Sequence, residues 1–174
     1  GAVSVSTSAW KMAACRRAAL TARRCRRWPT KYCCRPDLVT AVSDGIDTLH
    51  GGCHCGRVRF EVDVAPGFEV LACNCSICRM TGFLHVIVPA SRFRLLSGAD
   101  DLIEYTFNTG TAKHRFCRHC GIKSFYVPRS HPHGFSVNAR CLDGIDLSGL
   151  RVVAFDDRDR DAATAAVAHL GVSG

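Results

Sequence analysis

From Gly51 onward apolar and polar residues alternate along the chain instead of recurring at helical spacing. In residues 57–62, Val58, Phe60 and Val62 share one face while Arg57, Arg59 and Glu61 share the other, as a half-buried antiparallel strand requires. Pro66-Gly67 then turns the chain. Strand-like runs follow at 68–72, 84–88, 93–96, 102–107, 122–127, 135–139 and 152–155, separated by turn signals such as Ser97-Gly98, Asn108-Thr-Gly110 and Asp143-Gly144. This punctuation predicts a mainly β domain of sheets packed on one another. One helix is predicted near the end: acidic residues at 156–161 precede a run of helix formers at 162–170, and Gly171 suits the stop. Residues 37–49 read as a weakly patterned linker with a strand near its end.

Composition adds an extension to this domain. The chain has 174 residues, enough for one domain with a real core, and 47% apolar residues agree with a globular protein. No apolar run approaches the roughly 18 residues needed to span a bilayer, so no transmembrane segment is expected. The net charge of +8 is uneven: residues 1–36 hold nine Lys or Arg and no acid, whereas residues 53–174 hold 14 basic against 12 acidic residues. Any nucleic-acid contact is therefore expected only through the basic N-terminal arm. An Arg-rich, acid-free segment with Ser and Ala fits a mitochondrial or plastid transit peptide. Its rivals are a disordered arm on a polyanion, an arm on anionic membrane, and an unselected leader. Cys15, Cys25, Cys33 and Cys34 lie in this segment and are expected to be unligated.

The remaining cysteines bring in chemistry. Seven thiols lie in Cys53-His-Cys55, Cys73-Asn-Cys75-Ser-Ile-Cys78 and Cys117-Arg-His-Cys120, within sixty-eight residues. Thiols two or three positions apart converge on one ion without a long loop being closed, and soft thiolates in tetrahedral array favour zinc. A disulfide framework is the alternative, but Cys73, Cys75 and Cys78 are too close together to pair with one another in relaxed geometry. In an extended strand residues i and i+2 face the same way, so Cys53 and Cys55 are expected to aim both sulfurs at one ion. Cys117 is expected to end a strand, with Cys120 and Gly121 completing a zinc knuckle. Four such sulfurs close a tetrahedron as a structural site that joins distant strands. Cys73, Cys75 and Cys78 are left over, and three thiols leave a fourth position for water or a substrate atom. A fourth protein ligand from among His85, His114, His119 and Cys141 would close that site, and a cluster without metal is the remaining reading.

These residues carry a family resemblance. Gly51-Gly-Cys-His-Cys-Gly56, Cys73-Asn-Cys-Ser-Ile-Cys78, Phe116-Cys-Arg-His-Cys-Gly121 and Phe125-Tyr-Val-Pro-Arg-Ser130 resemble the glutathione-dependent formaldehyde-activating enzyme family. Val88-Pro-Ala-Ser-Arg-Phe93, Tyr105-Thr-Phe-Asn-Thr109 and Cys141-Leu-Asp143 are most similar to its centromere protein V-like members. The resemblance implies an Mss4-like fold of packed antiparallel sheets with a short C-terminal helix. It implies two Zn2+ per chain, a structural one on Cys53, Cys55, Cys117 and Cys120 and a second, open one on Cys73, Cys75 and Cys78. It also implies carbon-sulfur lyase chemistry on a small thiol such as glutathione, giving S-hydroxymethylglutathione with formaldehyde. The alternative is a non-catalytic zinc-stabilised binding protein on chromatin or cytoskeleton. The division that follows is 1–36 extension, 37–49 linker, 50–157 zinc domain and 158–174 helix and tail, in a reducing intracellular compartment.

Three further residues have two readings each. Arg129 either binds a ligand carboxylate through a bidentate contact or is a surface residue after a strand. Asn138 either lines the pocket or bonds to neighbouring backbone, and the second is favoured for an Asn in a strand. Cys141 invites comparison with the late nucleophile of methionine sulfoxide reductases, but a lone Cys beside Leu142 is usually packing. His85 and His114 follow the strand pattern near the second cluster and are candidates to hydrogen-bond its ligands.

Overall fold

A three-stranded sheet packs on a seven-stranded one, and each supplies half of an aromatic core. The structure, a computed structural model, describes residues 45–171. The extension at 1–36 with its four cysteines, and the linker as far as residue 44, lie outside the described residues. In the smaller sheet β2 (Arg59–Val64) is flanked by β1 (Asp47–Gly52) and β5 (Phe93–Ser97), both antiparallel. The larger sheet has the order β10 (Val152–Phe155), β3 (Val70–Cys73), β4 (Leu84–Pro89), β9 (Gly134–Asn138), β8 (Phe125–Val127), β7 (Lys113–Cys117), β6 (Leu102–Tyr105). The expected antiparallel pairing needs one correction, because β10 returns to lie parallel to β3.

The alternation read from the sequence is present in β2, where Phe60, Val62 and Val64 are buried and the residues between them half-buried. The strand begins two residues later than predicted, since residues 53–58 are used in a turn around the first cysteine pair. Phe60 and Phe93 from the smaller sheet meet Phe125 and Phe135 from the larger one, with ring centroids 5.5 Å apart for Phe60–Phe93, 4.8 Å for Phe93–Phe125 and 4.3 Å for Phe93–Phe135. Full burial of each such ring contributes roughly 1.5–3 kcal/mol.

Two helices complete the frame. The short α1 (Ser76–Thr81) has no counterpart in the sequence reading; Gly82, in the left-handed region at φ 62°, ends it with its N–H bonded to the Arg79 carbonyl. The predicted C-terminal helix is α2 (Arg160–Val167), capped by Asp159, whose carboxylate accepts from the Asp161 and Ala162 N–H groups. It starts earlier than expected because that cap precedes the alanine run, and it tightens to a 3-10 turn over Ala168–Gly171. Ala163 and Val167 are buried, so this segment packs on the domain. No described helix is long and apolar enough to cross a membrane.

Candidate functional site

The sulfurs of Cys53, Cys55, Cys117 and Cys120 all lie within 4.8 Å of one another, with 3.4 Å between Cys53 and Cys55 and 3.6 Å between Cys55 and Cys117. The expected extended geometry at Cys53 and Cys55 is corrected: β1 stops at Gly52, and a turn closed by Gly56 N–H on the Cys53 carbonyl presents both sulfurs. The chain doubles back so tightly that a side chain at Gly52 would collide with the Val58 carbonyl, which only glycine avoids. Cys53 N–H donates to that carbonyl at 3.0 Å, and Val58 N–H donates to the Cys53 sulfur at 3.4 Å. Cys117 ends β7 as expected, and Gly121, at φ 70°, donates to its carbonyl at 2.8 Å. Burial pushes the Cys53 and Cys117 thiols up. Burial also opposes ionisation of Cys120, yet hydrogen bonds from backbone N–H groups bring it down to about 7. Four converging sulfurs, one pair from each sheet, suit a closed tetrahedral metal.

The second cluster is built on one sheet. Cys73 ends β3, Cys75 caps α1 and Cys78 lies in its first turn. Two overlapping groups form, each within 4.8 Å: Cys73 with Cys78 and His85, and Cys73 with Cys75 and Asp157. Asp157 was missed in the sequence because it arrives through the parallel pairing of β10 with β3, which sets Phe155 opposite Cys73. Asn74 locks it there, accepting from Asp157 N–H at 3.0 Å and donating to Asp156 at 2.8 Å. Hydrogen bonds from Cys73 and Cys78 draw the Cys75 thiol far below the ordinary thiol range. Its partners rise in return: the hydrogen bond to Cys75 lifts Cys73 to about 11, and hydrogen bonds to Cys73 and Cys75 lift Cys78 with help from burial. His85 Nδ1 faces Ser136 Oγ at 2.9 Å while its buried Nε2 has no hydrogen-bond partner. Convergent thiols beside an orphaned imidazole nitrogen are a donor set that fits a metal ion.

A cavity of about 100 Å³ opens beside this cluster. Cys73, Cys75, Cys78, His85, His114 and Tyr126 form its sheet side, Phe107, Asn108 and Thr109 of the β6–β7 loop one rim, and Arg160, Ala163, Thr164 and Val167 of α2 another. None of the four cysteines of the first set lines it. His114 stacks on Phe107 at 5.3 Å and on Tyr126 at 4.9 Å, and neither ring nitrogen has a hydrogen-bond partner. Burial, and then the charge of Lys123, pushes His85 down to about 3 and His114 down to about 4, so both are neutral imidazoles.

Arg129 lines the cavity, but its guanidinium is committed to protein groups. It donates to Thr164 Oγ1 at 2.8 Å, to Asp157 Oδ1 at 3.1 Å and to the Arg160 carbonyl at 3.2 Å, tying α2 in place. Asn138 does not line the cavity: its Oδ1 accepts from Leu84 and Arg140 N–H and its Nδ2 donates to the Lys123 carbonyl, the backbone-bonding reading. Cys141 stands outside both sets, raised to about 11 by burial, as packing predicts. His119 pairs with Asp101 at 2.7 Å, away from the second cluster. All eight described cysteines are free thiols, contrary to the disulfide alternative.

Residues 48–154 match the family described as glutathione-dependent formaldehyde-activating enzyme. Among solved structures, the chain is similar to a Rhodobacter sphaeroides protein known from a crystal structure, with 38% identity and a TM-score of 0.55. That match covers 60% of this chain and 99% of that one. The α2 wall of the cavity lies beyond the family-matched residues.

Proposed function

The chain belongs to the glutathione-dependent formaldehyde-activating enzyme family, and from that premise we propose that it binds a small thiol such as glutathione beside Cys73, Cys75 and Cys78 and condenses it with formaldehyde. In this reading Cys53, Cys55, Cys117 and Cys120 hold one zinc for structure, and the three-cysteine cluster holds a second. Zinc bound at such a site supplies a Lewis acid that favours thiolate over thiol and polarises a carbonyl oxygen. The observation that carries the reading is that Cys73, Cys75 and Cys78 open on a cavity that none of the four cysteines of the first set lines.

The chain's own groups set the surroundings of the reaction. His85 and His114 are neutral and add no charge of their own to the cavity they line, and Phe107 and Tyr126 give it aromatic walls. Condensation forms a bond from sulfur to the carbonyl carbon and opens the carbonyl π bond, and the thiol proton ends on the oxygen. Nothing is oxidised or reduced, so no further cosubstrate is required.

Elemental analysis with calorimetric titration by glutathione tests this. Two zinc ions per chain and one glutathione per second site are expected, with 13C-formaldehyde captured as a thiohemiacetal in the NMR spectrum. A single zinc in the parent chain, or undiminished glutathione binding by Cys75→Ala, would sink the reading. A second reading rests on the nine basic residues of 1–36: a zinc-stabilised protein that associates with chromatin or cytoskeleton through this arm. Deleting 1–36 abolishes association under that reading and leaves thiol binding intact under the first.

A further inference from the structure

Lys123 is the only buried Lys or Arg among the described residues, at 4% exposure. Its Nζ has no hydrogen-bond partner and lies 4.1 Å from the ring centroid of Tyr126 and 4.6 Å from that of Phe83. A lone ammonium taken out of water is strongly disfavoured, and two aromatic faces offset only part of that. Negative charge nearby would offset the rest. Phe83 and Tyr126 form one small apolar cluster with Cys78, against which Cys73 and Cys75 pack. Burial brings Lys123 down to about 8, and the charges that oppose this are those of Cys78, Cys75 and Cys73, in that order.

We propose that Lys123 is the fixed counter-charge of the second cysteine set, a positioning residue that raises its metal affinity and lets it accept an anionic thiolate as the further ligand. Three thiolates around a divalent ion carry one net negative charge, and an incoming thiolate adds a second. Each added negative charge in a low-dielectric pocket repels the next, so a cation fixed on the aromatic floor favours an anionic ligand over a neutral one. Lys123 sits three positions after Cys120, so the knuckle of the first set also delivers the cation to the second. The argument rests on the metal reading of Cys73, Cys75 and Cys78 given above.

The test compares the zinc-loaded full chain with its Lys123→Met variant, which keeps the length of the side chain and removes its charge. Competition with a chelator should show the variant losing the second zinc at roughly tenfold weaker affinity, about 1.4 kcal/mol. The first zinc should be held as in the parent, and the thermal midpoint should not fall. At saturating zinc, glutathione should bind the variant roughly tenfold more weakly or worse. Parent-like affinity for both zinc and glutathione in the variant overturns the proposal. A parent chain that binds only one zinc overturns the metal reading itself, so the two failures are distinct. Should the variant not fold, 15N NMR of the lysine side chains in the zinc-loaded parent decides: a solvent-protected ammonium signal for Lys123 supports the proposal, and a neutral amine overturns it.

Discussion

The two cysteine sets use the same ligand type and differ in what they tie together. The first joins the β1–β2 turn of one sheet to the end of β7 in the other. Its sulfurs face one another, with Cys117 1% exposed and Cys53 4%. The second gathers Cys73, Cys75 and Cys78 along the β10–β3–β4 side of a single sheet and opens on a cavity. A metal that bridges two sheets holds the fold, because it adds a cross-link to the packing and to the few hydrogen bonds that join β1 and β2 to residues 142–143 after β9. One seated on a single sheet leaves the fold's connections unchanged and is free to face a ligand. Thiol spacing alone does not separate these roles; the strands that carry the thiols do.

Substitution at the two sets is the strongest way to break this comparison. A structural zinc contributes an apparent ~10–16 kcal/mol to small domains, as large as the ~5–15 kcal/mol by which whole domains are stable. Cys117→Ala is therefore expected to abolish the cooperative thermal transition and collapse the dispersion of amide NMR signals. Cys75→Ala should unfold within a few degrees of the parent, carry one zinc fewer and lose glutathione binding. Equal damage to folding by both would remove the proposed division of labour.

The legible and illegible parts of the site follow the same line. Cys53 with Cys55, Cys117 with Cys120, and Cys73 with Cys75 and Cys78 were readable because each cluster's members are neighbours in sequence. The alternation that marks β2 was readable too, apart from a two-residue offset consumed by the Cys53–Gly56 turn. Asp157, Lys123 and the β6–β7 loop were not, because each reaches the second cluster through long-range pairing. The parallel return of β10, which delivers Asp157, leaves no periodic mark on either strand. At α1 the six residues are too few to show an apolar stripe, so the helix that starts after Cys75 and carries Cys78 left no mark in the sequence.

Acid sharpens the comparison next, since two buried histidines, His85 and His114, line the cavity of the second site. His85 and His114 take up protons in the unfolded chain near pH 6.5, but in the folded chain only near 3 and 4. Between those limits the unfolded state binds more protons, so the stability these groups support is complete above pH 6.5 and declines as pH falls below it. The limiting slope is about 1.4 kcal/mol per pH unit for each histidine. His114→Phe, which keeps the stack on Phe107 and Tyr126, should recover about 1.4 kcal/mol of the loss at pH 5.5, measured by denaturant unfolding at pH 7.5 and 5.5. An unchanged pH dependence in that variant would mean that His114 already finds a proton partner in the folded chain.

Arg129→Met is expected to have the smallest effect and to distinguish a wall from a ligand contact. The guanidinium makes three bonds to residues 157–164. Its ion pair with Asp157 is partly exposed and so contributes at most about 1 kcal/mol. Ala163 and Val167 remain buried against the sheet without it, so α2 should loosen and not detach. Hydrogen exchange should quicken at amides 160–167 by roughly five- to tenfold, corresponding to about 1 kcal/mol, while β7 and the first cysteine set keep their protection. Glutathione affinity should fall by a similar modest factor, because the wall that shapes the cavity is less often in place. If affinity instead fell by far more than tenfold with α2 exchange unchanged, the guanidinium would have to leave Asp157 and bind the ligand carboxylate directly. Arg129 would then belong to the thiol's binding surface, and the cavity would owe its shape to the helix packing of Ala163 and Val167 alone.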